Sequence, residues 1–349
     1  MEYVNFGNTG LQVSRICLGC MTYGSPATGK ILPGRQPWAL GEADSAPFFR
    51  QALDLGINFW DTANVYSGGD SEIVIGRFLR QNNIRRESMV IATKVCSPMR
   101  EEPNGRGLSR KAILFELDES LKRLQTDYID LYQIHGNDSV TPLEETLRAL
   151  DALVTQGKVR YIGCSNWQAW KISKALTISG FRNLARFDTL QAYYSIAGRD
   201  LEREIVPLLE SEKTGLLVWS PLAGGLLSGK FSRENQKPEG SRRSEFDFPL
   251  VDKERTWKIL DVMTPLAKAH DCSPARIALA WLLSKPVVTS VIIGAKRLDQ
   301  LQDNLAAVDL KLTIDEIKQL DEVSALPPEY PGWMLAVQNA NRLKPVPRA

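Results

Sequence analysis

Short hydrophobic segments recur along the chain and alternate with longer segments of mixed polarity. Several short segments, such as Met89–Ala92 and Leu216–Trp219, are continuous apolar runs, which is typical of parallel strands buried on both faces. This pattern predicts strands at Arg15–Cys20, Asn58–Ala63, Val90–Lys94, Tyr128–His135, Val159–Ser165, Thr189–Tyr194, Gly215–Ser220 and Thr289–Gly294.

The longer segments between these strands carry apolar residues three and four positions apart, which is the spacing of one helix face. Over Ser109–Leu124, Ile113, Leu117 and Leu121 share a face, and Ser109 is placed as the N-cap. The same spacing predicts helices at Ala46–Leu55, Ser71–Gln81, Pro142–Gln156, Leu201–Glu212, Asp252–His270 and Arg297–Ala306.

About eight strand–helix repeats in a chain of this length are typical of a (β/α)8 TIM barrel. A doubly wound sheet shares the alternation, but its dinucleotide-binding form carries G-x-G-x-x-G after the first strand, and Met21–Asp44 lacks it. The segment Val4–Val13 predicts an N-terminal hairpin that closes the bottom of the barrel. We therefore expect a single barrel domain over residues 1–349.

Three long connections follow predicted strands and so lie at the carboxyl face of the barrel, the face that carries the active site in this fold. They are Met21–Asp44, Val95–Leu108 and Pro221–Val251. Within the first, Gly24–Lys30 approaches a phosphate-binding P-loop, but Ile31 stands where a Ser or Thr is needed, so we reject that interpretation.

The composition of the chain argues against several classes of protein function. Forty-three Lys and Arg nearly balance 41 Asp and Glu among the 349 residues, so no electrostatic footprint for nucleic acid or anionic membrane is expected. No apolar run approaches the ~20 residues of a membrane span.

Because the sequence shows no signal pattern and has five scattered cysteines, a cytoplasmic protein is expected. Only two histidines occur, neither at ligand spacing, so we predict no metal site.

Polar residues end three neighbouring strands of the predicted barrel. Asp61, Lys94 and His135 conclude otherwise apolar strands, and Tyr66 follows Asp61 by five residues. A charged residue at a buried strand end is costly unless it is paired, so each side chain needs a partner. Each alone is most simply explained as a structural ion pair, whereas the convergence of all four at one face indicates a catalytic group.

The chemistry of these four residues is coherent. A tyrosine hydroxyl with an ordinary pKa near ~10 is a weak acid, and a neighbouring lysine ammonium is expected to lower that pKa. A carboxylate would hold the lysine, and a histidine would orient a carbonyl oxygen. The tyrosine then protonates a developing alkoxide or deprotonates an alcohol. Because none of these groups supplies electrons, a bound hydride carrier is required.

The chain resembles the aldo-keto reductase superfamily over roughly Val4–Leu326. The motifs that carry the resemblance are Asp61–Tyr66, the strand end at Lys94, Gln133–His135, Gly163–Asn166, Trp219–Leu222 and Gly294–Asn304. The resemblance implies reversible, NADPH-dependent reduction of an aldehyde or ketone, with Tyr66 as the general acid and Asp61, Lys94 and His135 completing the catalytic tetrad.

The resemblance also implies a set of cofactor-binding residues. Ser165, Asn166 and Gln191 would hold the carboxamide, and Trp219 would stack on the nicotinamide. Ser220, Leu222 and Gly224 would line the pyrophosphate, and Lys296, Arg297, Gln300 and Asn304 would surround the adenosine end. Gly19, Met21 and Gly294 complete the set.

The substrate and the physiological role are left open by the sequence. Trp38, Trp167, Tyr194 and Trp333 are candidates for an aromatic substrate pocket, although each alone is equally well explained as a core or surface aromatic. The tail from Leu326 to Trp333 is predicted to lack regular structure.

Voltage-gated potassium channel β subunits resemble the same superfamily, so a nicotinamide-sensing regulatory subunit is the alternative function. A different chemistry on the same barrel, such as isomerisation, is a further alternative.

Overall fold

Eight parallel strands form a closed barrel in the computed structural model, which describes residues 1–25, 38–239, 241, 243 and 246–340. Neighbouring strands of the barrel follow one another in chain order, and the last strand pairs with the first and closes the barrel. The barrel strands are β3 (Ile16–Gly19), β4 (Phe59–Asp61), β5 (Val90–Val95), β6 (Ile129–Ile134), β7 (Val159–Ser165), β8 (Phe187–Tyr193), β9 (Gly215–Trp219) and β10 (Val288–Ile293). The predicted (β/α)8 TIM barrel is confirmed, and the doubly wound sheet is excluded by the closure.

Helices surround the barrel and connect successive strands. They are α1 (Glu42–Asp54), α2 (Asp70–Gln81), α3 (Arg110–Leu124), α4 (Leu143–Thr155), α5 (Ala169–Arg182), α6 (Ile205–Glu212), α7 (Lys253–Ala269), α8 (Pro274–Leu283), α9 (Leu298–Leu305), α10 (Ile314–Val323) and α11 (Gly332–Ala340). Ser109 caps α3 as predicted, because its side chain accepts a hydrogen bond from the backbone N–H of Ala112. Among the described residues, no helix has the length and apolar character to cross a membrane.

A short antiparallel hairpin precedes the barrel, as the sequence predicted. It consists of β1 (Tyr3–Asn5) and β2 (Gln12–Ser14). Phe6, which follows β1, is fully buried against Phe59, with ring centroids 5.8 Å apart. Inside the barrel Phe6 packs with Val13, Cys17, Phe59, Val90, Ala92, Leu131, Leu217 and Ile292. The hairpin and this cluster fill the amino end of the barrel with apolar side chains.

Four helices were not predicted from the periodicity: α5, α8, α10 and α11. Most of α8 is buried, from Ala275 to Leu282, so it has no polar face to produce a 3.6-residue period. The tail also differs from the prediction, because α11 begins at Gly332 and includes Trp333. The segment resembling a P-loop, Gly24–Lys30, lies outside the described residues from Pro26 onward.

Candidate active site

A cavity of about 840 Å³ opens at the carboxyl ends of the barrel strands. Its inner end is lined by Asp61, Tyr66 and His135, and its outer end by residues that follow β9 and β10. Every residue that the resemblance assigned to the cofactor lines this cavity: Gly19, Met21, Ser165, Asn166, Gln191, Trp219, Ser220, Leu222, Gly224, Gly294, Lys296, Arg297, Gln300 and Asn304.

The alternation of side chains along the strands places the predicted tetrad at the inner end of the cavity. Phe59 and Ala92 belong to the apolar cluster inside the barrel, so Asp61 and Lys94, two positions later, also face inward. Lys94 is fully buried, and its Nζ donates to Asp61 Oδ2 (2.5 Å), to the carbonyl oxygen of Thr62 (2.8 Å) and to Tyr66 Oη (3.3 Å). The ammonium therefore links the carboxylate to the tyrosine hydroxyl.

Burial, rather than the charge of Lys94, determines the direction in which the pKa of Tyr66 is shifted. Desolvation raises the pKa of the phenol, while the charge of Lys94 acts in the opposite direction without overcoming it. The pKa of Tyr66 is therefore raised, and the expected net lowering is wrong. Asp61 and Tyr66 together raise the pKa of Lys94 against the effect of its own desolvation, so the lysine stays protonated. Tyr66 is accordingly a neutral phenol beside a permanent cation.

His135 completes the group as a neutral imidazole. Its ring packs edge-on against the ring of Tyr66, with centroids 5.6 Å apart. Burial, followed by the charge of Lys94, lowers the pKa of His135 to about 3. Since its Nδ1 has no hydrogen-bond partner in the described part of the chain, the side chain is fixed by packing rather than by a second polar group. At neutral pH the ring therefore carries one N–H that can donate to an oxygen.

Two glutamines hold the other oxygen of Asp61. Gln133 Nε2 and Gln191 Nε2 donate to Asp61 Oδ1 at 3.0 and 2.8 Å, and Gln191 Nε2 also lies 3.2 Å from Gln133 Oε1. The resemblance implies that Gln191 binds the cofactor and implies no separate role for Gln133. Gln133 follows Leu131 by two positions, and this alternation is the signal that places it inside the barrel, because Leu131 belongs to the inner apolar cluster.

The residues assigned to the nicotinamide meet around Asn166 and Trp219. Trp219 Nε1 donates to Asn166 Oδ1 at 2.9 Å, and the indole stacks on Phe248 with ring centroids 5.6 Å apart. Ser165 Oγ is buried with no partner among the described residues. Asn166 has a positive φ of 59°, a conformation that costs a non-glycine residue about 1–3 kcal/mol and clusters at functional sites.

The connection after β9 forms a tight backbone turn at the cavity wall. Ser220 and Ala223 have φ values of 52° and 50°, and Gly224 has a φ of 67°. A Cβ added at Gly224 would collide with the carbonyl oxygen of Phe248. Arg243 is buried behind the turn, where it donates to the carbonyl oxygens of Ala223 (2.7 Å) and Pro249 (2.9 Å). The turn therefore exposes backbone to the cavity at a place where a side chain would not fit.

The outer end of the cavity combines cations with carboxylates. Lys296 Nζ lies 5.6 Å from the centre of the Trp38 ring. Arg297 is exposed and pairs with Asp299 at 2.5 Å, and both residues line the cavity. Asn304, on α9, is buried at the same end. No group of three or more His, Cys, Asp or Glu side chains is arranged to hold a metal ion in the described ranges.

Only one of the four candidate substrate-pocket aromatics, Trp38, lines the cavity. Trp167 is buried against Phe187 and donates from Nε1 to the carbonyl oxygen of Gly136. Tyr194 is buried against Trp281 and donates to Glu202. Trp333 is exposed on α11. These three aromatics therefore do not line the cavity, whereas Phe248, which the sequence did not single out, lines it beside Trp219.

Comparison with known proteins places this chain in a family. A family model described as Aldo/keto reductase family matches residues 15–325. The chain therefore belongs to the aldo-keto reductase family, whose members generally use NAD(P)H on small molecules.

Several relatives align over almost their whole length. The chain is 38% identical to the uncharacterized oxidoreductase YrpG of Bacillus subtilis, with 95% of this chain and 100% of that protein aligned. It is 35% identical to versiconal hemiacetal acetate reductase of Aspergillus parasiticus, covering 95% and 99%. It is also 34% identical to a probable voltage-gated potassium channel subunit beta of Oryza sativa, covering 93% and 96%.

Proposed function

We propose that this protein is a cytoplasmic, NADPH-dependent aldo-keto reductase that reversibly reduces a small aldehyde or ketone, with Tyr66 as the general acid. The observation that carries the proposal is the contact of Lys94 Nζ with both Asp61 Oδ2 (2.5 Å) and Tyr66 Oη (3.3 Å) at the inner end of the cavity. A neutral phenol held beside a buried cation is suited to donate a proton to an oxygen that gains negative charge.

The chain offers fitting groups for a nicotinamide dinucleotide. Ser165 Oγ is buried without a described partner, and Gln191 Oε1 accepts no hydrogen bond from the residues that the structure describes, so both remain for a carboxamide. The turn at Gly224 lines the cavity with backbone rather than with a side chain, which suits the close approach of a pyrophosphate. When bound there, the cofactor supplies the hydride.

The protein residues supply orientation and the proton. The neutral His135 donates an N–H to the substrate carbonyl oxygen and polarises it. Tyr66 gives its proton to the same oxygen as negative charge develops, and Lys94 stabilises the resulting phenolate. Asp61 holds Lys94 in place. In the reverse direction the phenolate accepts the proton of the alcohol.

A turnover assay tests this function. The purified protein should oxidise NADPH in the presence of members of a panel of aliphatic and aromatic aldehydes and ketones. The alternative, a nicotinamide-sensing regulatory subunit, is favoured by the similarity to proteins named as potassium channel β subunits. That alternative predicts NADPH binding without turnover for every carbonyl in the panel, whereas an isomerase would act without any nicotinamide.

Cofactor preference gives a prediction for Lys296 and Arg297. Substituting either by alanine is expected to weaken NADPH binding about 10–100-fold, because each charge-assisted contact to the 2′-phosphate is worth ~1.5–3 kcal/mol. NADH affinity should change little, since NADH has a hydroxyl at that position. Titration of each variant with both cofactors, followed by tryptophan fluorescence with Trp219 as the expected reporter, measures the difference.

The pairing of Arg297 with Asp299 supplies a control for this titration. Asp299→Asn should leave NADPH bound at least as tightly, because Arg297 then has no competing carboxylate. Equal losses for NADH and NADPH in the alanine variants would show that the 2′-phosphate is not bound at this place.

The reaction is also expected to proceed without a metal ion, because Tyr66 and His135 together polarise the carbonyl oxygen, which is what a Lewis-acid metal would do. Dialysis against a strong chelator should leave the turnover rate unchanged. Loss of turnover that is restored by added zinc would contradict this prediction.

A further inference from the structure

Asp61 and the two glutamines form a closed triangle of hydrogen bonds beneath the tetrad. Gln133, on β6, is fully buried, and Gln191, on β8, is almost so. Both amides donate to Asp61 Oδ1, and the two glutamines also contact each other through Gln191 Nε2 and Gln133 Oε1 (3.2 Å). Since an ionised carboxylate only accepts hydrogen bonds, both NH2 groups must face it, and this fixes the orientation of each amide.

The triangle determines how the carboxylate of Asp61 is turned. Rotation about the terminal bond of an aspartate is broad, so its orientation depends on the donors that surround it. Oδ1 is held by Gln133 and Gln191, which leaves Oδ2 for Lys94 at 2.5 Å. The contact between Lys94 and Tyr66 is longer, at 3.3 Å, and is the weaker of the two. A turn of the carboxylate would draw Lys94 with it and lengthen that contact further.

We propose that Gln133 is a positioning residue of the reaction, because its amide orients Asp61 so that Lys94 stays within hydrogen-bond distance of Tyr66. The inference rests on the proposed reduction, and it adds to the tetrad a residue that makes no contact with the substrate. If Gln133 had only a structural role, its amide would do no more than supply hydrogen bonds to polar atoms inside the barrel. Substituting it would then lower the stability of the protein without changing how kcat depends on pH.

The neighbours of the triangle determine what a pH experiment can detect. The titratable groups around it are Asp61 from β4, Tyr66 after β4, Lys94 from β5, His135 after β6, and Cys17 and Cys20 from β3 and the turn after it. Burial raises the pKa of both thiols well above its ordinary value, so they remain neutral. Lys94 keeps its charge and His135 stays neutral over the usual assay range.

Gln133→Glu tests the proposal because glutamic acid imitates glutamine only when it is protonated. The protonated carboxyl has one donor for Asp61 and one acceptor for Gln191, whereas the ionised form accepts only and repels Asp61. The variant should approach wild-type kcat at the acid end of the assay range. As pH rises and the introduced carboxyl ionises, kcat should fall at least about tenfold relative to wild type, through misplacement of the reacting groups.

Three comparisons separate this effect from others. Gln319→Glu adds the same charge at an exposed position and should follow the wild-type pH profile. Gln133→Met removes both hydrogen bonds at similar volume and should lower kcat at every pH. The dissociation constant for NADPH, measured by tryptophan fluorescence, should stay close to that of wild type in all three variants. If Gln133→Glu does not fold, Gln133→Asn replaces it, and its shorter amide should lower kcat without changing that dissociation constant.

The outcomes distinguish this inference from the proposed function. Wild-type protein that turns over no carbonyl would overturn the proposed function and, with it, a role for Gln133 in the reaction. Active wild-type protein together with a Gln133→Glu profile parallel to that of Gln319→Glu would overturn the inference alone. An equal loss at every pH in Gln133→Glu and Gln133→Met, with a lowered Tm, would reduce Gln133 to a structural role. A wild-type kcat in Gln133→Asn would likewise show that Gln133 has only a structural role.

Discussion

Tyr66→Phe is expected to lower kcat at least about 100-fold while leaving cofactor affinity unchanged, because general acid catalysis is worth ~10²–10⁴-fold. The substitution removes only the hydroxyl whose oxygen lies 3.3 Å from Lys94 Nζ. The ring that packs against His135 is retained, so the shape of the cavity is preserved. Steady-state kinetics on a carbonyl that the wild-type protein reduces, together with NADPH titration, measure the two quantities separately.

Tyr23→Phe is a matched control for this substitution. Tyr23 is also a buried tyrosine, and its hydroxyl donates to the carbonyl oxygen of Ala295 rather than facing Lys94. It should lose a little stability and keep its turnover rate. Near wild-type kcat in Tyr66→Phe, or an equal loss in both variants, would show that Tyr66 is not the proton donor.

Lys94→Met is expected to lower the free energy of unfolding by ~3–5 kcal/mol and to remove most of the activity. Lys94 has no exposed surface, and it neutralises Asp61, so methionine leaves a buried carboxylate without its cation. Turnover should fall with it because Tyr66 then lacks the charge that stabilises its phenolate. Chemical denaturation measures the first effect, and assays below the melting temperature measure the second.

A double variant separates stability from catalysis in this prediction. In Asp61→Asn with Lys94→Met, both charges of the pair are removed, so much of the lost stability should return while activity stays low. Asp61→Asn alone should also be destabilising, because it leaves the ammonium of Lys94 unpaired. A double variant as unstable as the sum of the two single variants would show that the pair is not coupled.

The sequence predicted the barrel and the convergence of the tetrad because both depend on chain order. Parallel strands that are consecutive in sequence became neighbours, so polar residues at their carboxyl ends had to meet. The distances depend on strand register, and register alone did not indicate that Lys94 would contact Asp61 more closely than Tyr66. The acidity of Tyr66 was predicted in the wrong direction, because proximity to Lys94 is visible in the motif whereas desolvation is not.

The aromatic residues show where sequence patterns lose information. Trp167 and Tyr194 follow barrel strands and Trp219 ends one, yet Trp167 and Tyr194 pack against another strand or a helix outside the cavity. Which way a side chain points just after a strand depends on the path of the connection. Gln133 was missed for a different reason: it faces the barrel interior, but it was interpreted only as part of the motif that ends at His135.

The position of the hairpin at the amino end of the barrel has a consequence for attaching the protein to a surface. Tyr3 donates to the carbonyl oxygen of Gly56 (2.8 Å), on the side opposite the cavity mouth. The tail instead lies beside the connection that follows β8, where Arg203 pairs with Glu329 (2.9 Å). Immobilisation through the amino-terminal segment would therefore turn the cavity mouth toward the bulk solution, whereas a support attached near Glu329 would lie on the carboxyl side of the barrel, the side on which the cavity opens, and would slow the diffusion of reactants.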